Sequence, residues 1–329
     1  MKYLKVCLCV FLAMLNLQAW SQVKIIFDTD FGGDADDLGA LAMLNHFHNK
    51  GEAELLAVMC WNIEQYSVSA VDAVNTFYGN PDIPIGSRAG EPHLTDWNHS
   101  KVIADHLTHD ASIENVPEAT SLYRKLLSEA ADQSVVIVAV GPLMNIKKLI
   151  ESAPDDYSPL DGNAIINTKV KEFVIMGGNF PTSKNEWNFD GDMPGVTQFV
   201  LTHLTRPITF SGAELGSAIK TGEVFNDLPP KSPLYLGFFH FGKHAPWMKD
   251  KFQGKIFDNA TFDQTAVLYA VRNGLGKYWH RVEDGVCVAD ENGGNRWEQK
   301  EGSNHAYLVL DMPVAEMERL MEAFMLGEF

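Results

Sequence analysis

The stretch "VKIIFDTDFGGDADDLGALAMLNHF", Val23 to Phe47, places five aspartates, Asp28, Asp30, Asp34, Asp36 and Asp37, within ten residues. Carboxylates at this density raise one another's pKa unless a cation lies between them. An all-oxygen donor set suits a hard divalent ion, Ca2+ or Mg2+. Some of the acids have a plainer use. Asp36 and Asp37 open an apolar-periodic segment, where the positive end of a helix dipole favours negative charge. That use accounts for two acids and not for five. The loop is not an EF-hand: no helix precedes it, and apolar residues near Met43 fall where the closing glutamate belongs. A strand-end D-x-D phosphatase site is a second rival. It wants a threonine shortly after the second aspartate, where this chain has "DFGGDADD".

The elements that must position these acids alternate strand and helix. Val23–Phe27 is a short apolar run, and Leu38–His46 has helical spacing through Leu38, Leu41, Ala42 and Leu44. "ELLAVMCW" reads as the next strand and Val68–Phe77 as the next helix, closed by Gly79 and the turn "GNPD". A brief strand "DIPIG", an irregular region Glu91–Pro117 and a helix over Ala119–Ala131 follow. "SVVIVAV" and "KEFVIMGG" are further strands, separated by the turn and helix "GPLMNIKKLI". Continuous Val/Ile runs between helices indicate an α/β fold with a mainly parallel, Rossmann-like central sheet covered on both faces. Ligands bind at the carboxyl ends of such strands, which is where Asp28 and Asp30 emerge.

Residues 1–21 are expected to be a cleaved signal peptide, leaving 22–329 as one domain and a periplasmic or secreted product. Lys2 and Lys5 precede the apolar run Val6–Leu17, and small Ala19 and Ser21 follow. The run is too short for a comfortable membrane span, so no membrane association is expected after cleavage. A formal charge of −17, from 26 basic and 43 acidic residues, argues against nucleic acid as a partner. Cys60 and Cys287 read as buried thiols in strands rather than a disulfide framework, with a bridge between them left open.

Taken in order, "DTDFGGDADDLGAL", "DAVNTFYGNPDIPIG", "VVIVAVGPLMNI", "FVIMGGNF", "NEWNFDGD" and "ATFDQTAVLYAV" resemble the successive blocks of the inosine–uridine-preferring nucleoside hydrolases. The tail "ENGGNRWE" fits the branch with the D-T-D-x-G-x-D-x-D-D signature. The resemblance implies the nucleoside hydrolase fold, a homo-oligomer, a nucleoside or related riboside as substrate, and Ca2+ as cofactor. It implies that Asp30 is both a Ca2+ ligand and the general base, with Asp37, the Val140 carbonyl and Asp263 completing the metal site. Asp36 would accept from a ribose hydroxyl; Glu186, Asn188 and Asn179 would also bind the sugar. Either Asn62 or Glu64 matches the asparagine after the second strand.

One position departs from the family pattern. Phe262 stands where many members carry the histidine that protonates the departing base. Trp61, Trp187 and Phe262 could stack a base instead. The segment Phe238–Lys249, "FFHFGKHAPWMK", resembles a mobile lid whose His240 or His244 could supply the acid. Glu214 reads as structural. The alternatives are a ribosyl- or metal-binding protein without turnover, and a hydrolase of another N- or O-glycoside.

Overall fold

The computed structural model describes residues 22–329; the expected signal peptide lies outside the described residues. Its centre is an eight-stranded sheet built from β1 (Val23–Thr29), β2 (Ala53–Cys60), β3 (Ile85–Ser87), β4 (Val135–Ala139), β5 (Val170–Met176), β7 (Ile208–Ser211), β10 (Trp279–Val282) and β13 (His305–Leu310). The spatial order is β10-β13-β7-β5-β4-β1-β2-β3, parallel throughout except for β10 at one edge. A second sheet joins β11 (Gly285–Ala289), β12 (Asn295–Gln299) and β6 (Thr182–Ser183); β8 (Lys220–Thr221) pairs with β9 (Asn259–Ala260).

Successive strand side chains point to opposite faces, and β1 shows why both faces are covered. Ile25 and Phe27 belong to one buried apolar cluster and Ile26 to another across the sheet. This is the α/β arrangement expected from the Val/Ile runs. The helices at Asp36–Asn49, Ser67–Phe77 and Ala119–Glu129 lie within a few residues of their expected places. Cys60 and Cys287 are buried, in β2 and β11, and are not bonded to each other. Among the described residues, no helix is long and apolar enough to cross a membrane.

The topology decides where a ligand can enter. From β1 the chain builds outward to β2 and β3, then returns to lay β4 on the opposite side of β1. Connections therefore leave β1 and β4 in opposite directions, and a crevice opens between their carboxyl ends. Asp30 and Val140 stand on its two lips. Main-chain bonds hold β1 in register with both neighbours at this end: Val140 N, after β4, donates to Asp28 O at 2.8 Å, and Trp61 N, after β2, donates to Thr29 O at 2.8 Å.

The segment Phe238–Lys249 is not the expected lid. Ser232 caps a helix over Pro233–His244, with proline in its first turn, and the buried Phe238 and Phe241 anchor it in the core. Only the residues after that helix, Trp247 among them, reach the crevice.

A distant element, the helix Asp263–Arg272, brings the last acid to the site by packing against Asp36–Asn49. Its approach is set from behind by Gly216, in the helix Ala213–Ala218. A Cβ there would lie 2.5 Å from the Phe262 Cα, and Thr261 N donates to Gly216 O at 3.1 Å. Gly216→Ala should therefore push the Phe262 backbone away and cost about 1–3 kcal/mol by overpacking, read in urea denaturation. Stability equal to that of the parent would show that this contact does not position Asp263.

Candidate functional site

A cavity of about 670 Å3 occupies the crevice, and six carboxylates line it: Asp30, Asp34, Asp36, Asp37, Glu186 and Asp263. Asp36 and Asp37 stand in the first turn of their helix, as the sequence suggested, but both are buried rather than facing solvent. Asp263 begins the helix Asp263–Arg272 and is buried as well. One carboxylate oxygen from each of Asp36, Asp37 and Asp263 lies within 4.8 Å of the other two. No lysine, arginine or histidine pairs with any of the three among the described residues.

Burial first, and mutual repulsion second, hold the carboxyls of Asp36, Asp37 and Asp263 well above the usual range. Three converging oxygens with no cationic partner form a donor set that fits a hard divalent ion. Asp37 and Asp263 were expected as metal ligands, and the triad contains both. Asp36, read as a sugar ligand, belongs to the tight triad, and Asp30 stands beside it. The Val140 carbonyl, read as a metal ligand, accepts the Asn188 Nδ2 amide at 2.8 Å.

The other acids divide by their partners. Asp28, behind the cavity, accepts from the Tyr123 hydroxyl at 2.8 Å and from Asn145 Nδ2 at 3.2 Å, as a strand-end structural acid does. Burial still raises it to about 7. Asp30 is partly buried and faces the cavity; its Oδ2 accepts from the Trp187 indole at 2.9 Å. Desolvation lifts Asp30 to about 6, against the lowering effect of that bond. Gly141 leaves the room Asp30 needs, since a Cβ there would lie 2.7 Å from the Asp30 nitrogen. Asp34 accepts its own loop's amide, from Ala35 at 2.6 Å, and also Asn259 Nδ2 at 3.1 Å. Thr29 Oγ1 donates to Asp37 Oδ1.

Glu186 caps the short helix Trp187–Asp190, accepting from the amides of Gly178 at 2.8 Å, Asn188 at 3.1 Å and Phe189 at 3.3 Å. Burial raises it to about 7 despite those three donors. Glu186 and Asn188 both line the cavity, whereas Asn179 does not. The backbone of Asn179 is clamped by the Asn295 side chain, which accepts from Asn179 N and donates to Asn179 O, each at 3.0 Å. Asn62 lines the cavity and Glu64 does not; Glu64 is buried and accepts from Tyr66 N at 2.9 Å. Glu214 is structural, accepting from Phe180 N at 2.9 Å.

Five aromatic residues, Trp61, Trp97, Trp187, Trp247 and Phe262, also line the cavity. His240 and His244 are absent from the lining; they pack on each other with ring centroids 4.4 Å apart. The histidine that does face the cavity is His93. Arg88, Thr95, Trp97 and Asn98 join it. Sequence reading passed over these residues because they follow a three-residue strand in a region without periodicity. Their one signal was position, since Arg88 stands directly after a strand's carboxyl end.

Asp37→Asn or Asp263→Asn should abolish stoichiometric metal content, measured by elemental analysis; full retention would break the assignment. The same acids set an unusual pH response in the metal-free protein. Carboxyls raised from about 4 to about 6 or 7, as at Asp28, Asp30, Asp34 and Glu186, favour the folded state when protonated. That stability is full below the unfolded pKa and is lost as pH rises through the folded one. Melting temperature without metal should thus rise between pH 7.5 and 5.5, and saturating Ca2+ should reverse the trend, because a cation binds the deprotonated oxygens.

Residues 25–316 match the sequence profile of the inosine-uridine preferring nucleoside hydrolases. The pyrimidine-specific ribonucleoside hydrolase RihA of Salmonella paratyphi B (strain ATCC BAA-1250 / SPB7) is 31% identical over 114 residues, 31% of this chain and 32% of that protein. The chain therefore matches about a third of the length of such curated relatives. Among solved structures, the plant nucleoside hydrolase PpNRh1 superposes with a TM-score of 0.66 at 19% identity, covering 92% of this chain and 98% of that one. The type III effector XopQ complexed with adenosine diphosphate ribose superposes with a TM-score of 0.63 at 13% identity, covering 97% and 96%. Likeness at these identities concerns the fold, while the profile match runs through every block that carries the acids. The chain belongs to the inosine-uridine preferring nucleoside hydrolase family.

Proposed function

We propose that this protein is an exported, Ca2+-dependent N-ribohydrolase that splits nucleosides or related ribosides into ribose and free base. The observation that carries the reading is Asp30. It is a carboxylate with an elevated pKa, held by one indole donor, beside a triad of buried acids and facing an aromatic-walled cavity. Asp36, Asp37 and Asp263 would hold the ion, with Asp30 adjoining them. Ca2+ bound there supplies positive charge that orients sugar hydroxyls and acidifies water. Export rests on the basic start and short apolar run of the leader.

The chain's own residues then have separable tasks. Asp30 accepts the proton of the attacking water, and its burial makes it a stronger base than an exposed carboxylate. The Trp187 indole fixes its orientation by occupying Oδ2, which leaves Oδ1 for the water. Glycosidic cleavage builds positive charge on the sugar, and the carboxylates around Asp30 stabilise it electrostatically. Glu186, held rigid by three backbone donors, and Asn188 are placed to meet the sugar. Phe262 cannot protonate the base. It and the four tryptophans offer stacking surface, which favours the larger face of a purine.

The discriminating experiment incubates the protein with a nucleoside panel, with and without chelator. Asp30→Asn should lower kcat by about 100- to 10,000-fold while retaining bound metal. Specific riboside binding with no turnover in the parent would instead favour the non-catalytic reading. A second measurement concerns the leaving group. His93 is the histidine on the cavity, so His93→Phe should slow inosine cleavage by about tenfold or more. A nitrophenyl riboside, whose leaving group needs no proton, should be nearly indifferent to the change. Equal losses on both substrates would remove His93 from proton donation.

A further inference from the structure

The cavity's lining includes one permanent cation, and nothing in the mechanism above uses it. Arg88 follows β3 and is partly buried, with its guanidinium lying 4.6 Å from the Trp61 ring centroid. Its Nε donates to the Trp61 carbonyl at 2.7 Å. The side chain is thus pinned at two points against one residue, with its plane and direction set. Among the described residues its two terminal nitrogens make no hydrogen bond and no ion pair, although six carboxylates line the same cavity. A fixed guanidinium with a free two-pronged edge facing a cavity is a receptor for a planar anion.

Strand order says which part of a ligand it would meet. Glu186 and Asn188 follow β5, Asp30 follows β1, and Arg88 follows β3, so the sugar residues and Arg88 lie on opposite sides of Asp30. Parallel strands about 4.8 Å apart put Arg88 roughly 10 Å across the sheet from β1. A riboside whose anomeric carbon faces Asp30 spans that interval with its aglycone, laid along Trp61. The six carboxylates would repel an anion placed among them, and Arg88, the one permanent cation on the lining, offsets that repulsion.

We propose that Arg88, braced on Trp61, selects ribosides whose aglycone carries a negative charge. The inference rests on the riboside reading of the site and names its substrate class. The test compares xanthosine, whose base is anionic at neutral pH, with inosine, its neutral counterpart. Inosine 5′-phosphate, which places the anion on the sugar, is the third arm. Both kcat/KM and Kd by calorimetry are measured with the Ca2+-loaded protein.

Xanthosine should be favoured over inosine about tenfold to a hundredfold, the range of a charge-assisted hydrogen-bond pair. Arg88→Met should bring the two within about threefold, and Arg88→Lys, which keeps the charge but not the fork, should fall between. Circular dichroism verifies the fold of each variant, and the Lys variant carries the test if the Met variant does not fold. A parent indifferent to the charge, or a Met variant that keeps the preference, overturns the inference and leaves the hydrolase reading intact. An Arg88-dependent gain for inosine 5′-phosphate instead of xanthosine overturns the aglycone assignment. Arg88-dependent tighter binding of xanthosine without hydrolysis of any riboside would support the inference and end the hydrolase reading. Neither binding nor hydrolysis of any arm would end both.

Discussion

Asp36, Asp37 and Asp263 are pushed apart by like charge and deprived of water at the same time, and a divalent cation between them relieves both costs. Few arrangements hold three such groups together without one. The chain does it by anchoring each acid to a rigid element: two in the first turn of a buried helix, the third at the start of a helix packed against it. The positive end of the first helix dipole lowers part of the cost. The greater part remains as elevated pKa values, a stored preference for binding protons or metal.

That constraint organises the surrounding polar groups. Asp28 is kept in place by Tyr123 and Asn145, Asp30 by Trp187, and Glu186 by three amides. Each acid is held by neutral donors, so it is oriented without being paired in a salt bridge. The Asn188 amide joins the carboxyl ends of β4 and β5, donating to Val140 O and, at 3.1 Å, to Met176 O. Arg88 follows the opposite plan, a cation stacked on the Trp61 ring and hydrogen-bonded to the Trp61 backbone carbonyl. The cavity therefore combines carboxylates, aromatic rings and one guanidinium on a single lining.

The position of the cavity follows from topology rather than from any one residue. Strand order reverses at β1 and β4, and a parallel sheet leaves a crevice where its connections part. Aromatic side chains from four separate segments close over this crevice: Trp61 after β2, Trp97 in the irregular region, Trp187 after β5 and Trp247 after the helix Pro233–His244. Trp97 and Trp247 meet edge to face with centroids 4.9 Å apart, so segments far apart in sequence form one wall.

Much of this could be read without coordinates, because two signals are local. Buried parallel strands write themselves as Val/Ile runs, and an acidic cluster at a strand end cannot be explained by surface solvation. From these the sheet, the strand-end site and the aspartate cluster Asp28–Asp37 were legible, whereas Asp263 entered only through the family resemblance, since alone it reads as a helix cap. What stayed hidden depends on pairs of residues distant in sequence. The sequence could not show that Asp36 joins Asp263, that Asn188 occupies the Val140 carbonyl, or that Asn179 is clamped by Asn295 outside the cavity. Nor could it show that "FFHFGKHAPWMK" turns its histidines away while Trp247 turns in, since helical phase is decided by which face finds the core. Arg88 is the sharpest instance. In sequence it is one arginine after a short strand, and only the packing of Trp61 beneath it makes it a directed charge.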